Sequence, residues 1–231
     1  MKTLADKIIA FNKSLDFKGE LPNGIRIMNP FQENRDIMSI SSSFYKKYYN
    51  DKNERHLILG INPGRFGAGL TGVPFTDPQR LVSNCGIEYT RKLAHEPSSV
   101  FVYEVIKEFG GEEEFYKKFY INNICPLGFT SPGHQGKEVN YNYYGSKELT
   151  NSVFDFILES IKKQIDFGIN TDICFCFGAG QNKKFLLKLN NEYGFFKKIV
   201  ALEHPRYVMQ FKSKSKQDYI NKYLKAFSQI K

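Results

Sequence analysis

Four short apolar runs punctuate the chain near 56–61, 119–124, 172–177 and 197–202, each ending in a glycine, an Asn or a His. Their length and near-continuous hydrophobicity predict strands buried on both faces. Apolar residues recur at helical spacing elsewhere, as in Leu4, Ile8, Phe11 and Leu15 within 3–15, and again near 43–49. Asp77-Pro78 reads as a helix start, Asp as N-cap and Pro at the first helical position. Ser98 or Ser99 starts a helix through Phe101, Val102, Val105, Ile106 and Phe109, stopped by Gly110-Gly111. Further helices are predicted over 150–165, after Gly178-Ala179-Gly180, and over 216–231. Residues from Pro22 to Pro30 read as irregular, and the Tyr/Asn-rich stretch 131–146 as a long polar loop. Strand–helix alternation of this kind predicts an α/β fold, a three-layer α/β/α sandwich on a central four-stranded parallel sheet. The chain 1–231 reads as one domain, with residues 1–55 a helical and irregular extension packed on it.

Composition narrows the partner more than the fold. Thirty-three Lys and Arg against 24 Asp and Glu leave a formal charge of +9, which favours a polyanionic partner. There is no apolar run of about 18 residues to span a membrane. Met1–Lys7 carries an early acid and no long apolar segment, so no secretory signal is read. The four cysteines, Cys85, Cys125, Cys174 and Cys176, read as reduced interior residues, and the cytoplasm is the expected compartment. Cys174-x-Cys176 lacks a second pair at ligand spacing, so neither a metal nor another cofactor is expected. A monomer is expected.

The chemistry gathers at strand ends. Gly60-Ile61-Asn62-Pro63-Gly64-Arg65-Phe66-Gly67, followed by Thr71-Gly72-Val73-Pro74-Phe75, leaves the first strand as a glycine-rich loop able to approach a ligand closely. Asn62 follows the first strand, Asn123 ends the second, and His204 follows the fourth. Taken singly, each has an ordinary structural role as a turn residue, a backbone partner or a cap, and Phe75 would be core. Jointly they lie where a parallel sheet builds a site, at the carboxyl ends of its strands. Gly180, at a strand-to-helix turn, has free amides suited to a phosphate, with Lys183 nearby. A solvated turn is the competing reading. The run Lys212, Lys214, Lys216 reads as a solvated face or a phosphate contact.

These words resemble the single-strand-selective monofunctional uracil-DNA glycosylases, and the resemblance covers most of the chain after about residue 55. It rests on the Gly60–Gly67 loop, on Thr71–Phe75, on Asn122-Asn123-Ile124-Cys125-Pro126-Leu127 and on His204-Pro205. It implies a uracil-DNA glycosylase-like sandwich. It also implies a water-positioning Asn62, a base-stacking Phe75, an Asn123 that reads the uracil edge and a catalytic His204. Arg65 replaces a proline of the family pattern, and Arg206-Tyr207 replaces Ser-Pro, which marks a divergent branch.

The chemistry fits on its own terms. Hydrolysis of a nucleoside bond builds positive charge on the sugar and negative charge on the base, which must leave the stack to be reached. The Asn123 amide can meet O4 and N3–H of uracil together and mismatches cytosine. His204 would donate to O2 as charge develops there. Gly60 and Ile61 complete the base-binding set, with Ile61 facing the C5 edge. Arg206 and Tyr207 are expected in a DNA-inserting loop, 206–211, and Gly180 with Lys183 on the backbone. The expected partner is uracil-containing DNA, single- or double-stranded, with excision of 5-substituted uracils or other deaminated bases left open. The alternatives are a catalytically idle binder of single-stranded or damaged DNA on the same fold, and a flavodoxin-like nucleotide-binding domain. The latter would need an anion cradle that the first loop lacks.

Overall fold

The computed structural model describes residues 2–230. It begins with helix α1 (Leu4–Ser14), strand β1 (Arg26–Met28), helices α2 (Pro30–Glu33) and α3 (Arg35–Tyr48), and then strand β2 (His56–Gly60). Helices α4 (Ala68–Thr71), α5 (Pro78–Ser83), α6 (Pro97–Phe109) and α7 (Glu112–Lys118) lead to β3 (Phe119–Asn123). Strands β4 (Gly128–Pro132) and β5 (Glu138–Tyr141) precede α8 (Lys147–Ser152) and α9 (Phe154–Ile165). There follow β6 (Asn170–Phe177), α10 (Gln181–Tyr193), β7 (Lys198–Leu202), α11 (Pro205–Phe211) and α12 (Lys216–Phe227).

The four predicted strands form one parallel sheet in the order β3-β2-β6-β7. The chain steps from β2 to β3 on one side and later to β6 on the other. The strand order therefore reverses around β2, and a crevice opens at the carboxyl ends there. Register then does the placing: Gly60 lies opposite Asn123 across the β2–β3 ladder, and Phe177 lies opposite Leu202 across β6–β7. The chain is rich in aromatic residues, with 21 Phe, 14 Tyr and no Trp, and many of these rings are buried in the core. Phe119, Phe175 and Phe227 meet edge to face or tilted at 4.7–5.7 Å between ring centres. Leu4, Ala5 and Ile8 of α1 and Phe44, Tyr45 and Tyr48 of α3 join the same buried cluster as β2.

The structure corrects several expectations. The stretch 131–146 is not all loop: β4 and β5 pair with β1 as a small antiparallel sheet, Ile27 opposite Phe129 and Thr130 opposite Asn140. The helix read over 150–165 is two helices, broken at Val153. The first of them starts where Ser146 caps the Leu149 amide. Residues 206–211, expected as a projecting loop, form α11, with His204 as N-cap and Pro205 at its first position. The four cysteines are free and buried, and burial pushes Cys125 and Cys176 up to about 12, leaving inert thiols.

Candidate active site

A cavity of about 140 Å³ opens at the carboxyl edge of the sheet, and Ile61, Asn62, Phe75, Asn123 and His204 all line it. An engineered apolar cavity of about 150 Å³ holds a benzene molecule, so this one suits a single six-membered ring. Gly60 makes the approach possible. A methyl group on its Cα would lie 2.6 Å from the Phe75 ring and collide with Asn123 Oδ1. Phe75 is buried and sits at φ +54°, the one non-glycine left-handed residue among those described. Such a conformation costs about 1–3 kcal/mol and is retained where the surroundings impose it. Here Thr71 Oγ1 donates to Thr76 O at 2.7 Å and accepts from Val73 N at 3.1 Å, closing the loop around the ring. The ring then packs edge-on to Phe177 at 5.4 Å and tilted against His204 at 5.7 Å.

The two asparagines differ sharply. Asn123 is buried, its backbone amide donates to Asn122 Oδ1 at 2.8 Å, and its carboxamide bonds to no described residue. Both its donor and its acceptor are thus available to a ligand. Asn62 is already engaged: Nδ2 donates to Tyr141 O at 3.1 Å, and Oδ1 accepts from Tyr143 N at 3.0 Å. It therefore ties the glycine-rich loop to the segment after β5, keeping one Oδ1 lone pair for the cavity. Asn182 anchors the same segment from behind. It accepts from Tyr143 Oη at 2.9 Å and donates to Gly60 O at 3.2 Å.

His204 caps α11 through its ring. Nδ1 accepts the Arg206 backbone amide at 3.2 Å, so in the neutral ring the proton sits on Nε2. Burial, with the Arg206 charge adding to it, brings its pKa down to about 4. At neutral pH the site therefore presents an uncharged imidazole with a fixed N–H donor.

The profile of the uracil DNA glycosylase superfamily matches residues 46–228. The chain belongs to the uracil DNA glycosylase superfamily. Among solved structures, wild-type Pedobacter heparinus SMUG2 is similar throughout, at 62% identity and a TM-score of 0.97, over 100% of this chain and 99% of that one. The resemblance drawn from the strand-end motifs thus holds, as does the fold expected from it. The protein is a DNA glycosylase, a hydrolase of base excision repair whose partner is DNA.

Around the cavity the glycosylase offers two further depressions, separated by α11. One, of about 350 Å³, is lined by Ile61, Gly178, Gly180, Asn182, His204 and Tyr207. The other, of about 260 Å³, is lined by Arg65, Phe66, Glu96, Asn140, Arg206 and Gln210. Arg206 also lines the base-sized cavity. Lys183, expected beside Gly180, is exposed on the first turn of α10 and is not among the residues lining the first groove. Lys216 is paired with Glu104 at 2.6 Å, which counts against a phosphate role for it. Three cavity residues went unnoticed in the sequence: Glu96, Asn140 and Asn142. Asn140 Oδ1 accepts the Arg65 amide at 3.1 Å and so holds the glycine-rich loop against β5. No helix among the described residues is long and apolar enough to cross a membrane.

Proposed function

We propose that this glycosylase is monofunctional and removes uracil from DNA, holding the extruded base in the 140 Å³ cavity. The observation that carries this reading is the unbonded Asn123 carboxamide facing a ring-sized cavity between Phe75 and a neutral His204. Phe75 supplies the stacking face. The Asn123 amide donates to O4 and accepts from N3–H, a pairing that cytosine reverses at position 4. As the bond to C1′ lengthens, its electron pair moves onto the base and charge gathers at O2. The His204 Nε2–H is oriented to stabilise it without an extra proton. Asn62 holds the attacking water with its remaining Oδ1 lone pair. None of the cavity residues is a lysine, so no amine is at hand for a Schiff base.

The DNA surface is read on either side of α11. Tyr207 and Phe211 are 42% and 68% exposed and stack tilted at 5.4 Å, a planar pair able to fill the gap an extruded base leaves. Arg206 and the Gly180 amide face the strand. One experiment tests this reading: wild type and an Arg206→Ala/Tyr207→Ala double variant are incubated with single-uracil oligonucleotides, single-stranded and duplex. Wild type should leave strands that break only after alkali, and the double variant should lose more on duplex than on single strands. Direct nicking without alkali would contradict a monofunctional enzyme, and equal losses on both forms would remove the wedge.

A further inference from the structure

Glu96 is a carboxylate placed where a DNA-binding site should avoid one. It lines the base-sized cavity and the 260 Å³ groove beside it, in a protein of net charge +9 whose partner is a polyanion. A negative charge there repels phosphates unless the chemistry uses it. Its position at the N-cap of α6 does not explain it, because the side chain makes no capping hydrogen bond. Its own amide is held by Asp77 Oδ2 at 2.7 Å, so the backbone needs nothing from the carboxylate. The carboxylate accepts one hydrogen bond, from Ser99 Oγ to Oε2 at 3.1 Å, and Oε1 accepts none from any described residue.

The glycine-rich loop is shaped around this group. A methyl group on Gly67 would collide with Glu96 Oε2, and one on Gly64 would lie 2.8 Å from Oε1. Gly64 is two residues from Asn62, so the carboxylate meets the loop beside the water-holding position. Asn62 itself is a carboxamide engaged on both ends and has no basicity to offer.

Resting on the glycosylase reading above, we propose that Glu96 is the general base that Asn62 cannot be, accepting a proton from the water that attacks C1′. The C1′–N bond breaks with its electron pair leaving on the base. The water oxygen bonds to C1′, and its proton passes to Glu96 and from there to the departed base anion or to solvent. Burial, with Asp77 nearby, raises the Glu96 carboxyl above its ordinary range, while the Ser99 hydrogen bond and Arg206 oppose the rise. That direction suits a base working near neutrality. The groups facing it are Asp77 at the start of α5, Arg65 on the glycine-rich loop, the adjacent His95, and Arg206 and His204 at α11.

The test is single-turnover uracil release between pH 4 and 8 by the full chain and its variants. Glu96→Gln should be about 10²-fold slower at pH 7, with DNA affinity within a few-fold of wild type. The acid limb of the wild-type profile should lie above the ordinary Glu range. In Glu96→Gln it should drop to the limb set by His204, near 4. Formate should restore part of the rate to Glu96→Ala. Ser99→Ala, which removes the hydrogen bond that favours the ionised form together with the one Ser99 Oγ accepts from the Asp77 amide, should move the wild-type limb upward, and it serves as the readout if the Glu96 variants fold poorly. A structural role would lower the melting temperature without moving any limb. Retention of near-native rate by Glu96→Gln, or a limb unmoved in both Glu96→Gln and Ser99→Ala, would overturn the proposal while leaving the glycosylase reading intact. Absence of uracil release by wild type would overturn that reading, and this proposal with it.

Discussion

His204→Ala should lower single-turnover uracil release by about 10²–10³-fold, the range typical for loss of one preorganised donor to a developing anion. The effect rests on geometry that the substitution removes cleanly. Nδ1 is committed to the Arg206 amide, which leaves Nε2–H as the donor, and the tilted contact with Phe75 fixes the plane of the ring. The loss of stability should be modest, about 1 kcal/mol for a missing N-cap, so a large rate loss with a nearly unchanged melting temperature separates chemistry from folding. The sign of the pH dependence follows from a folded pKa near 4 against 6.5 for a free His. Above pH 6.5 both folded and unfolded chains carry the neutral ring and the site costs nothing. Between 6.5 and about 4 the unfolded chain takes up a proton that the folded one refuses, so stability falls as the pH drops through this window. Catalysis through His204 should survive until the ring protonates near 4. A rate for His204→Ala within tenfold of wild type would remove this residue from the chemistry.

Asn123→Asp should cost uracil release about 10²-fold or more and should raise cytosine release above its wild-type background. The carboxylate loses the N–H that meets O4 and places negative charge against a carbonyl oxygen. A site built to hydrogen-bond a group discriminates strongly against its absence. The 4-amino group of cytosine, by contrast, gives a carboxylate a donor to accept from. Because the Asn123 carboxamide bonds to no described residue, the substitution breaks no internal hydrogen bond. Thermal melts and base-release rates measured on the same preparation therefore report different things. Unchanged uracil rates in Asn123→Asp would mean that the base edge is read elsewhere.

What was legible in the chain was the sheet. Parallel strands buried on both faces read as apolar runs, and their ends marked Asn62, Asn123 and His204, which the structure brings to one cavity. The antiparallel sheet was hidden because Arg26–Met28, Gly128–Pro132 and Glu138–Tyr141 are short, half-polar strands: β4 and β5 form a local hairpin with weak alternation, and β1 joins β4 only across a long sequence separation. Helix α11 carries a weak signal of its own: Pro at the first helical position follows His204, and His is not among the strong capping residues Ser, Thr, Asp and Asn. Glu96 had no periodic or motif context. It is one acid before a proline in a polar stretch, and only the folded loop shows that Gly64 and Gly67 make room for it. Asn62 lines the cavity, but its two backbone hydrogen bonds depend on a segment about 80 residues away, which no local pattern announces.

The most direct measurement is the base itself. Purified protein in excess EDTA is mixed, under single-turnover conditions, with an oligonucleotide carrying one uracil, and the released base is quantified by chromatography. Free uracil should appear in a stoichiometric amount, matched by alkali-labile abasic strand, and the Asn123→Asp and His204→Ala variants should release it far more slowly. Tight binding of the oligonucleotide with no free uracil would contradict excision at this cavity and leave only a DNA-binding protein.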